Sequence, residues 1–241
     1  MTGITRAMVL AAGLGTRMGA ISKTKPKPLV EVMGKALIDY SLDHLAAAGL
    51  KRIVVNTHYL PDQVEEHLAG RENIEISREP ERLETGGGVL NALPLLGKRA
   101  FFVLNSDALW LDGPSSALGR LAAAWNSRRM DALLLFQPTV RLIQYRGLGD
   151  YHLEPDGRAR RREETEVAAF LFAGVQILHP RLFADAQEGS FSLNHLYDQA
   201  EAAGRLFAIV HDGDWYHVGT PDELRKAESA ISLRNVSVNS R

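Results

Sequence analysis

Short, wholly apolar runs alternate with stretches of helical periodicity through the first half of the chain, and no other feature constrains the fold as much. Met8-Val9-Leu10, Ile53-Val54-Val55 and Phe101-Phe102-Val103-Leu104 carry no polar residue on either face. A strand that is apolar on both faces has to be covered on both, which makes these the central strands of a parallel sheet. Helical patterns over 37–48, 61–68 and 88–96 fall around them, with a further short strand at 74–76, as βαβ units require. A helix over 115–128 leads into another buried strand, 133–136, which Pro138 closes. The alternation then breaks. Residues 147–178 read as β-structure with a turn at Pro155-Asp156-Gly157 and a long apolar run over 167–178, an antiparallel excursion inserted near 140–175. Residues 193–203 and 221–231 are helical with a strand at 206–210 between them. The Ser- and Asn-rich residues 232–241 are expected to fray as a flexible tail. The fold class that follows is α/β: one three-layer, Rossmann-like domain over residues 1–231, its central sheet mostly parallel with a small antiparallel insertion.

A core of this size is within the chain's means, since 45% of its residues are hydrophobic and 24% charged. The 28 Lys+Arg against 29 Asp+Glu leave a net charge of −1, so no global field exists to hold nucleic acid or an anionic membrane. Any anion has to be captured locally. The absence of cysteine excludes a disulfide framework, a thiolate nucleophile and a thiolate metal site, and fits a reducing compartment. The apolar run over 7–12 is far short of the ~20 residues that cross a bilayer and precedes no cleavage site, so a cytoplasmic location is expected.

The place for local anion capture is the end of the first strand. Met8-Val9-Leu10 runs into Ala11-Ala12-Gly13-Leu14-Gly15-Thr16-Arg17-Met18-Gly19, and a Gly-rich turn at the carboxyl end of a parallel strand lets backbone N–H groups approach a phosphate. A dinucleotide fingerprint would need a third glycine at position 18, which is Met, and Gly19 comes one residue late. A Walker loop would need Lys directly after a glycine. Lys23, Lys25 and Lys27 follow, with Pro26 and Pro28 stiffening the backbone on both sides of Lys27 so that it can be aimed with little entropy to lose.

Together, Gly13-Leu14-Gly15-Thr16-Arg17-Met18 and Lys25-Pro26-Lys27-Pro28-Leu29 resemble the signature of the sugar-phosphate nucleotidyltransferases, the nucleotide-sugar pyrophosphorylases. The resemblance continues through Glu84-Thr85-Gly86-Gly87-Gly88, Asn105-Ser106-Asp107, Phe172-Ala173-Gly174 and Trp215-Tyr216-His217-Val218-Gly219-Thr220. It implies the GT-A-like form of the fold, with residues 1–136 as the nucleotide-binding half and 137–231 as the sugar-phosphate-binding half. It also implies a nucleoside triphosphate and a sugar 1-phosphate as substrates, with release of pyrophosphate. The Leu83-to-Gly88 run is most similar to a compact uridylyltransferase branch that uses UTP and N-acetylmuramic acid 1-phosphate. Guanylyl- or cytidylyltransferases acting on mannose, heptose or another sugar phosphate stay open, as does a catalytically silent nucleotide-sugar-binding regulator. Monomer and homodimer are both compatible with the sequence.

The resemblance assigns roles residue by residue. Attack on the α-phosphorus concentrates negative charge, so fixed cations are needed. Arg17 would hold the triphosphate and the departing pyrophosphate, and Lys27 would neutralise charge at the α-phosphate. Ala11, Ala12, Gly13, Gly15, Thr16 and Asn105 would contact the nucleotide, Thr85 and Gly86 would read the edge of the base, and Gly149 would let the sugar lie against the backbone. Asp107 would be a magnesium ligand, a role suited to a hard carboxylate oxygen. His217 stands where the family pattern has the second metal carboxylate, and neutral imidazole is a poor ligand for magnesium. Mg2+ held by Asp107, phosphates and water is the expectation, with a preference for Mn2+ or weakened activity as the other outcomes. The family's lysine for the sugar phosphate has no match. Arg158, Arg160, Arg161 and Arg162 occupy that neighbourhood and read as a solvated face. His58 reads as structural, and Trp110, Trp125 and Trp215 as core or pocket wall.

Overall fold

The computed structural model describes residues 3–142, 145 and 147–239. It opens with β1 (Arg6–Leu10), the hairpin β2 (Glu31–Val32) and β3 (Lys35–Ala36), then α1 (Leu37–Ala47), β4 (Arg52–Thr57), α2 (Pro61–Leu68) and β5 (Ile74–Arg78). Next come α3 (Glu84–Leu96), β6 (Phe101–Asn105), β7 (Leu109–Leu111), α4 (Ala117–Ala124) and β8 (Ala132–Pro138). The chain finishes with β9 (Tyr151–Leu153), β10 (Ala159–Arg161), β11 (Phe170–Leu178), α5 (Leu193–Ala202), β12 (Leu206–Val210), β13 (Asp214–Tyr216) and α6 (Pro221–Asn239). The apolar runs became the central strands, as their two-sided hydrophobicity requires.

Strands β5, β4, β1 and β6 lie side by side and parallel. The antiparallel excursion enters this sheet through its middle. β11 pairs antiparallel with β6 on one side and with β8 on the other, while β12 runs parallel to β8. Because β11 opposes both neighbours, β8 points the same way as β1 and β6, and the carboxyl ends of all three open on one edge. The short strands β9 and β10 extend the sheet from Phe170. A bulge between Phe172 and Gln176 bends β11, with Gly174 at φ 76°.

Period-two alternation distributes each central strand between two apolar layers. Ala7 and Val9 of β1 face a cluster with Leu42, Leu45, Ile53, Val55 and Trp110, while Met8 faces Val89, Leu96, Leu193 and Leu196 on the opposite side. Helices therefore cover both faces, giving the three layers. A third cluster, containing Met18, Leu37, Val218, Ala227 and Ile231, fastens α6 beneath the first loop.

Helix α6 departs from expectation. It continues beyond Ile231 to Asn239, through the segment expected to fray, because no Gly or Pro interrupts it after Pro221. The last two residues of that expected tail, 240 and 241, lie outside the described residues. Helix α4 is shorter than residues 115–128, starting after Ser116, whose hydroxyl accepts the Gly119 N–H at 3.3 Å. Among the described residues no helix is long and apolar enough to cross a membrane.

Candidate functional site

The loop after β1 is a built object, held from below and from the side. Gly15 adopts φ 63°, and a Cβ there would lie 2.9 Å from Lys27 Cβ, so the turn needs both the left-handed conformation and the missing side chain. Met18 is fully buried in the α6 cluster, which explains why a side chain rather than a third glycine occupies position 18. The Ala11 N–H donates to Asn56 Oδ1 at 2.8 Å, and Asn56 Nδ2 donates to Glu79 Oε1 at 2.7 Å. Glu79, only 2% exposed, also accepts the Leu83 N–H through Oε2 at 3.3 Å. This buried relay fixes the end of β1 to the start of α3. Gly13, Thr16 and Arg17 remain exposed above it.

The lysine stretch is tied down as well. The Tyr59 hydroxyl donates to the Ser22 carbonyl at 2.8 Å and Gln63 Nε2 to the Thr24 carbonyl at 3.1 Å. Lys23 points to solvent and Lys25 pairs with Glu31 at 3.0 Å. Lys27, in a 3-10 turn whose backbone Pro26 and Pro28 restrain, turns inward and donates to Asp107 Oδ2. Asp107 follows β6, so eighty residues of sequence separate two groups in direct contact.

His217 arrives from β13. A Cβ on Gly219 would lie 2.7 Å from His217 Nε2 and 3.4 Å from Arg17 Cζ, so the imidazole and the guanidinium meet over that glycine. Burial holds the His217 pKa below its ordinary value, outweighing the pull of Glu223 and Asp107 in the other direction, and Lys27 and Arg17 lower it further. The imidazole is therefore neutral at neutral pH. Glu223 Oε2 lies 3.6 Å from His217 Nε2 and accepts the Gly219 N–H and the Thr220 hydroxyl, both at 3.0 Å. The Glu223 N–H in turn donates to Thr220 Oγ1 at 3.3 Å, a reciprocal cap on α6.

Arg17, Asn105, Asp107 and His217 line one end of a cavity of about 1230 Å³ at the carboxyl edge of the sheet. Gln137, Arg141, Tyr145, Asp150 and Phe172 line the other. The structure thus brings the expected cations, carboxylate and imidazole together.

Other expected residues are placed differently. The N–H groups of Gly86 and Gly87 both donate to the Phe191 carbonyl, at 2.8 and 3.2 Å, and the Thr85 hydroxyl accepts the Leu193 N–H at 2.9 Å. A Cβ on Gly86 would sit 2.3 Å from the Phe191 ring. These groups clasp the start of α5, so Thr85 and Gly86 also serve in packing and capping. Gly149 is likewise off the cavity wall. It is buried at φ 73°, a Cβ there would meet the Ala168 carbonyl oxygen at 2.2 Å, and its own carbonyl accepts Arg162 Nε at 2.8 Å. Its backbone makes a close crossing with Ala168, and Tyr145 and Asp150 reach the cavity from the same segment.

The arginine run behaves as a paired face: Arg158 with Asp156, Arg160 with Glu166, Arg161 with Asp198, and Arg162 on backbone carbonyls. None of the four lines the cavity. His58 Nδ1 pairs with the Glu79 carbonyl at 3.0 Å, a structural placement. Trp110 is core, Trp125 packs against the same cluster, and Trp215 is cavity wall, donating to the Ala173 carbonyl at 3.0 Å. Sequence reasoning missed Asn56, Glu79 and Glu223. The first two had no local signal, whereas Thr220-Pro221-Asp222-Glu223 is a legible capping box.

Among the described residues no group of three or more His, Asp or Glu side chains stands ready to cage a metal. Asp107, paired with Lys27, offers a hard oxygen at the site, a donor that fits an ion brought in by phosphates and completed by their oxygens.

Comparison with known proteins gives the same picture. Residues 6–141 match the nucleotidyl transferase family model. Over 94% of this chain and 96% of the relative, the sequence is 43% identical to an N-acetylmuramate alpha-1-phosphate uridylyltransferase of Caulobacter vibrioides. It is 36% identical to the enzyme of that name from Neisseria meningitidis serogroup B, over 93% of this chain and 97% of the relative. A putative glucose-1-phosphate thymidylyltransferase from Bacillus anthracis superimposes with TM-score 0.79 at 15% identity, covering 93% of this chain and 94% of that one. At that identity the likeness concerns the fold alone.

Proposed function

The chain belongs to the nucleotidyl transferase family, and from that premise we propose that it transfers the uridylyl group of UTP to N-acetylmuramic acid 1-phosphate, releasing pyrophosphate. That it is a sugar-phosphate nucleotidyltransferase follows from the family. The choice of base and sugar follows the two full-length relatives. The observation that carries the mechanism is the convergence of Arg17, the Lys27–Asp107 pair and neutral His217 at one end of a single cavity.

A phosphate oxygen of the sugar phosphate attacks the α-phosphorus, forming one P–O bond as the bond to the pyrophosphate oxygen breaks. Charge develops on the α-phosphoryl oxygens and on the leaving group. Lys27, aimed inward by its prolines, neutralises the first. Arg17, on the loop above β1, holds the second. Preorganised cations of this kind stabilise the transition state without reorganising as it forms. The backbone of residues 11–16 approaches the nucleotide, and Asn56 and Glu79 keep that backbone in place.

Transfer in this family depends on a metal. Magnesium bound to the triphosphate would be held by Asp107, which would exchange its lysine partner for the ion, and it would supply further neutralisation of phosphate charge. His217, a neutral imidazole, adds little for magnesium and more for manganese. His217→Asp should therefore raise turnover with magnesium, measured as pyrophosphate release; an equal or lower rate would remove this account of position 217.

The substrate assignment is tested by a panel of UTP, GTP, CTP and dTTP against the 1-phosphates of N-acetylmuramic acid, N-acetylglucosamine, mannose and glucose. The expected result is highest kcat/KM for UTP with the N-acetylmuramic acid compound. Highest efficiency for another pair would replace the assignment, and tight nucleotide binding with no turnover for any pair would favour a silent binding protein.

A further inference from the structure

The end of the cavity away from Arg17 holds two groups that no part of the nucleotidyl transfer employs. Gln137, the penultimate residue of β8, is 1% exposed, lines the cavity, and has no hydrogen-bond partner for Oε1 among the described residues. A buried amide oxygen without a donor is costly unless a ligand or water supplies one. Four positions on, Arg141 closes the short 3-10 turn Thr139–Arg141 and also lines the cavity. Its guanidinium makes no ion pair or hydrogen bond among the described residues.

That freedom sets Arg141 apart from the other cavity-lining cations outside the nucleotide end. Arg225 and Lys226 share Asp222, and Arg234 pairs with Asp214. The acids nearby are engaged too: Asp150 Oδ2 accepts the Phe172 N–H at 3.0 Å, and Glu223 caps α6. Among the described residues, two unpaired guanidinium groups thus face one cavity, Arg17 after the end of β1 and Arg141 beyond the end of β8.

Topology sets their spacing. β8 is separated from β6 by β11 alone, so the chain ends carrying Asp107 and Gln137 lie two strand spacings apart, roughly 10 Å. The reacting phosphate has to sit by Lys27 and Asp107. A sugar ring extending from it along the sheet edge brings its far substituents to Gln137 and Arg141. A planar guanidinium is suited to a carboxylate, which it can engage with two parallel hydrogen bonds.

We propose that Arg141 is a specificity-determining residue that binds a carboxylate on the sugar, with Gln137 Oε1 accepting from an N–H or O–H donor of the same sugar. The preferred acceptor is then an acidic sugar phosphate, and this rests on the acceptor assigned above, whose carboxyethyl ether substituent ends in a carboxylate. Neutral sugar phosphates leave Arg141 unpaired.

The test compares wild type with Arg141→Met and Arg141→Lys on three acceptors: N-acetylmuramic acid 1-phosphate, its methyl ester, and N-acetylglucosamine 1-phosphate, with UTP throughout. Wild type should favour the acid over the ester by about tenfold to a hundredfold in kcat/KM, the range of one charge-assisted hydrogen bond. Arg141→Met should abolish that preference, mainly through KM for the acid, while KM for UTP and the melting temperature stay at wild-type values. Arg141→Lys should keep part of the preference. An acid-to-ester ratio unchanged by Arg141→Met overturns this inference and leaves the acceptor assignment standing, as does an equal loss on acid and ester. Turnover by wild type on neutral sugar phosphates alone overturns both.

Discussion

The two ends of the cavity are made in different ways. At the nucleotide end, a loop of consecutive residues is held by buried hydrogen bonds from β4 and the start of α3, and its cations come from two short sequence segments. Away from that end, the wall consists of single side chains from β8, β11, the segment leading to β9 and α6, with the bulged β11 running against its neighbours. On the function proposed above, the first end carries the step common to every substrate pair, and the second, built of separate side chains, carries the choice of sugar.

The largest expected break in this comparison is at Lys27. Lys27→Ala should lower kcat about a hundredfold to a thousandfold, the usual loss when a preorganised charge-stabilising group is removed. Pyrophosphate release measures it, and a loss shared equally between UTP and every other triphosphate would place Lys27 at the phosphates rather than the base. Next comes the relay beneath the loop. Asn56→Ala strands the Ala11 N–H and one oxygen of Glu79, costing about 1–3 kcal/mol for each buried group left without a partner. Thermal unfolding should shift down by about 2–4 °C per kcal/mol in a chain of this size. KM for UTP should rise with it; a stability loss with unchanged KM would mean the relay supports the fold and not the loop.

Gly86→Ala sharpens the boundary between the two kinds of role. Its Cβ would collide with the Phe191 ring, an overpacking worth about 1–3 kcal/mol. The expected outcome is a lower melting temperature and a KM for UTP within about twofold of wild type, as the packing role requires. A raised KM without loss of stability would return Gly86 to the base.

The smallest effect is a pH dependence. Burial lowers the pKa of His44, His211 and His217 below 6.5. The unfolded chain takes up those protons near pH 6.5 while the folded chain does not, so this contribution to stability is complete above pH 6.5 and is lost as pH falls below it. The urea midpoint should be lower at pH 5.5 than at pH 7.5, and an unchanged midpoint would mean these imidazoles titrate freely.

Most of the sheet was legible because two-sided apolar strands and helical periodicity are local signals. The parallel order of β1, β4 and β6, the helices at Leu37–Ala47 and Pro61–Leu68, and the break in alternation after Pro138 all follow from them. The residues that converge near Asp107 and His217 could be picked out for the same reason, since Gly15, Arg17 and Lys27 sit in short motifs. What could not be read was which part of the chain fills the space beside each glycine: Lys27 beside Gly15, Phe191 beside Gly86 and Ala168 beside Gly149. The partners of Asn56 and Glu79, and the placement of Gln137 and Arg141 on one cavity, depend likewise on strand neighbours far away along the chain. The extent of α6 was underestimated because composition suggested fraying where no helix breaker stood.

The placement of β11 bears on whether the chain can be divided. β6 has its outer edge covered only by a strand made of residues 170–178, and β8 depends on that same strand. Residues on either side of 136 thus share one sheet: a chain cut there would leave the outer edge of β6 without its partner, an adhesive border of unpaired backbone groups.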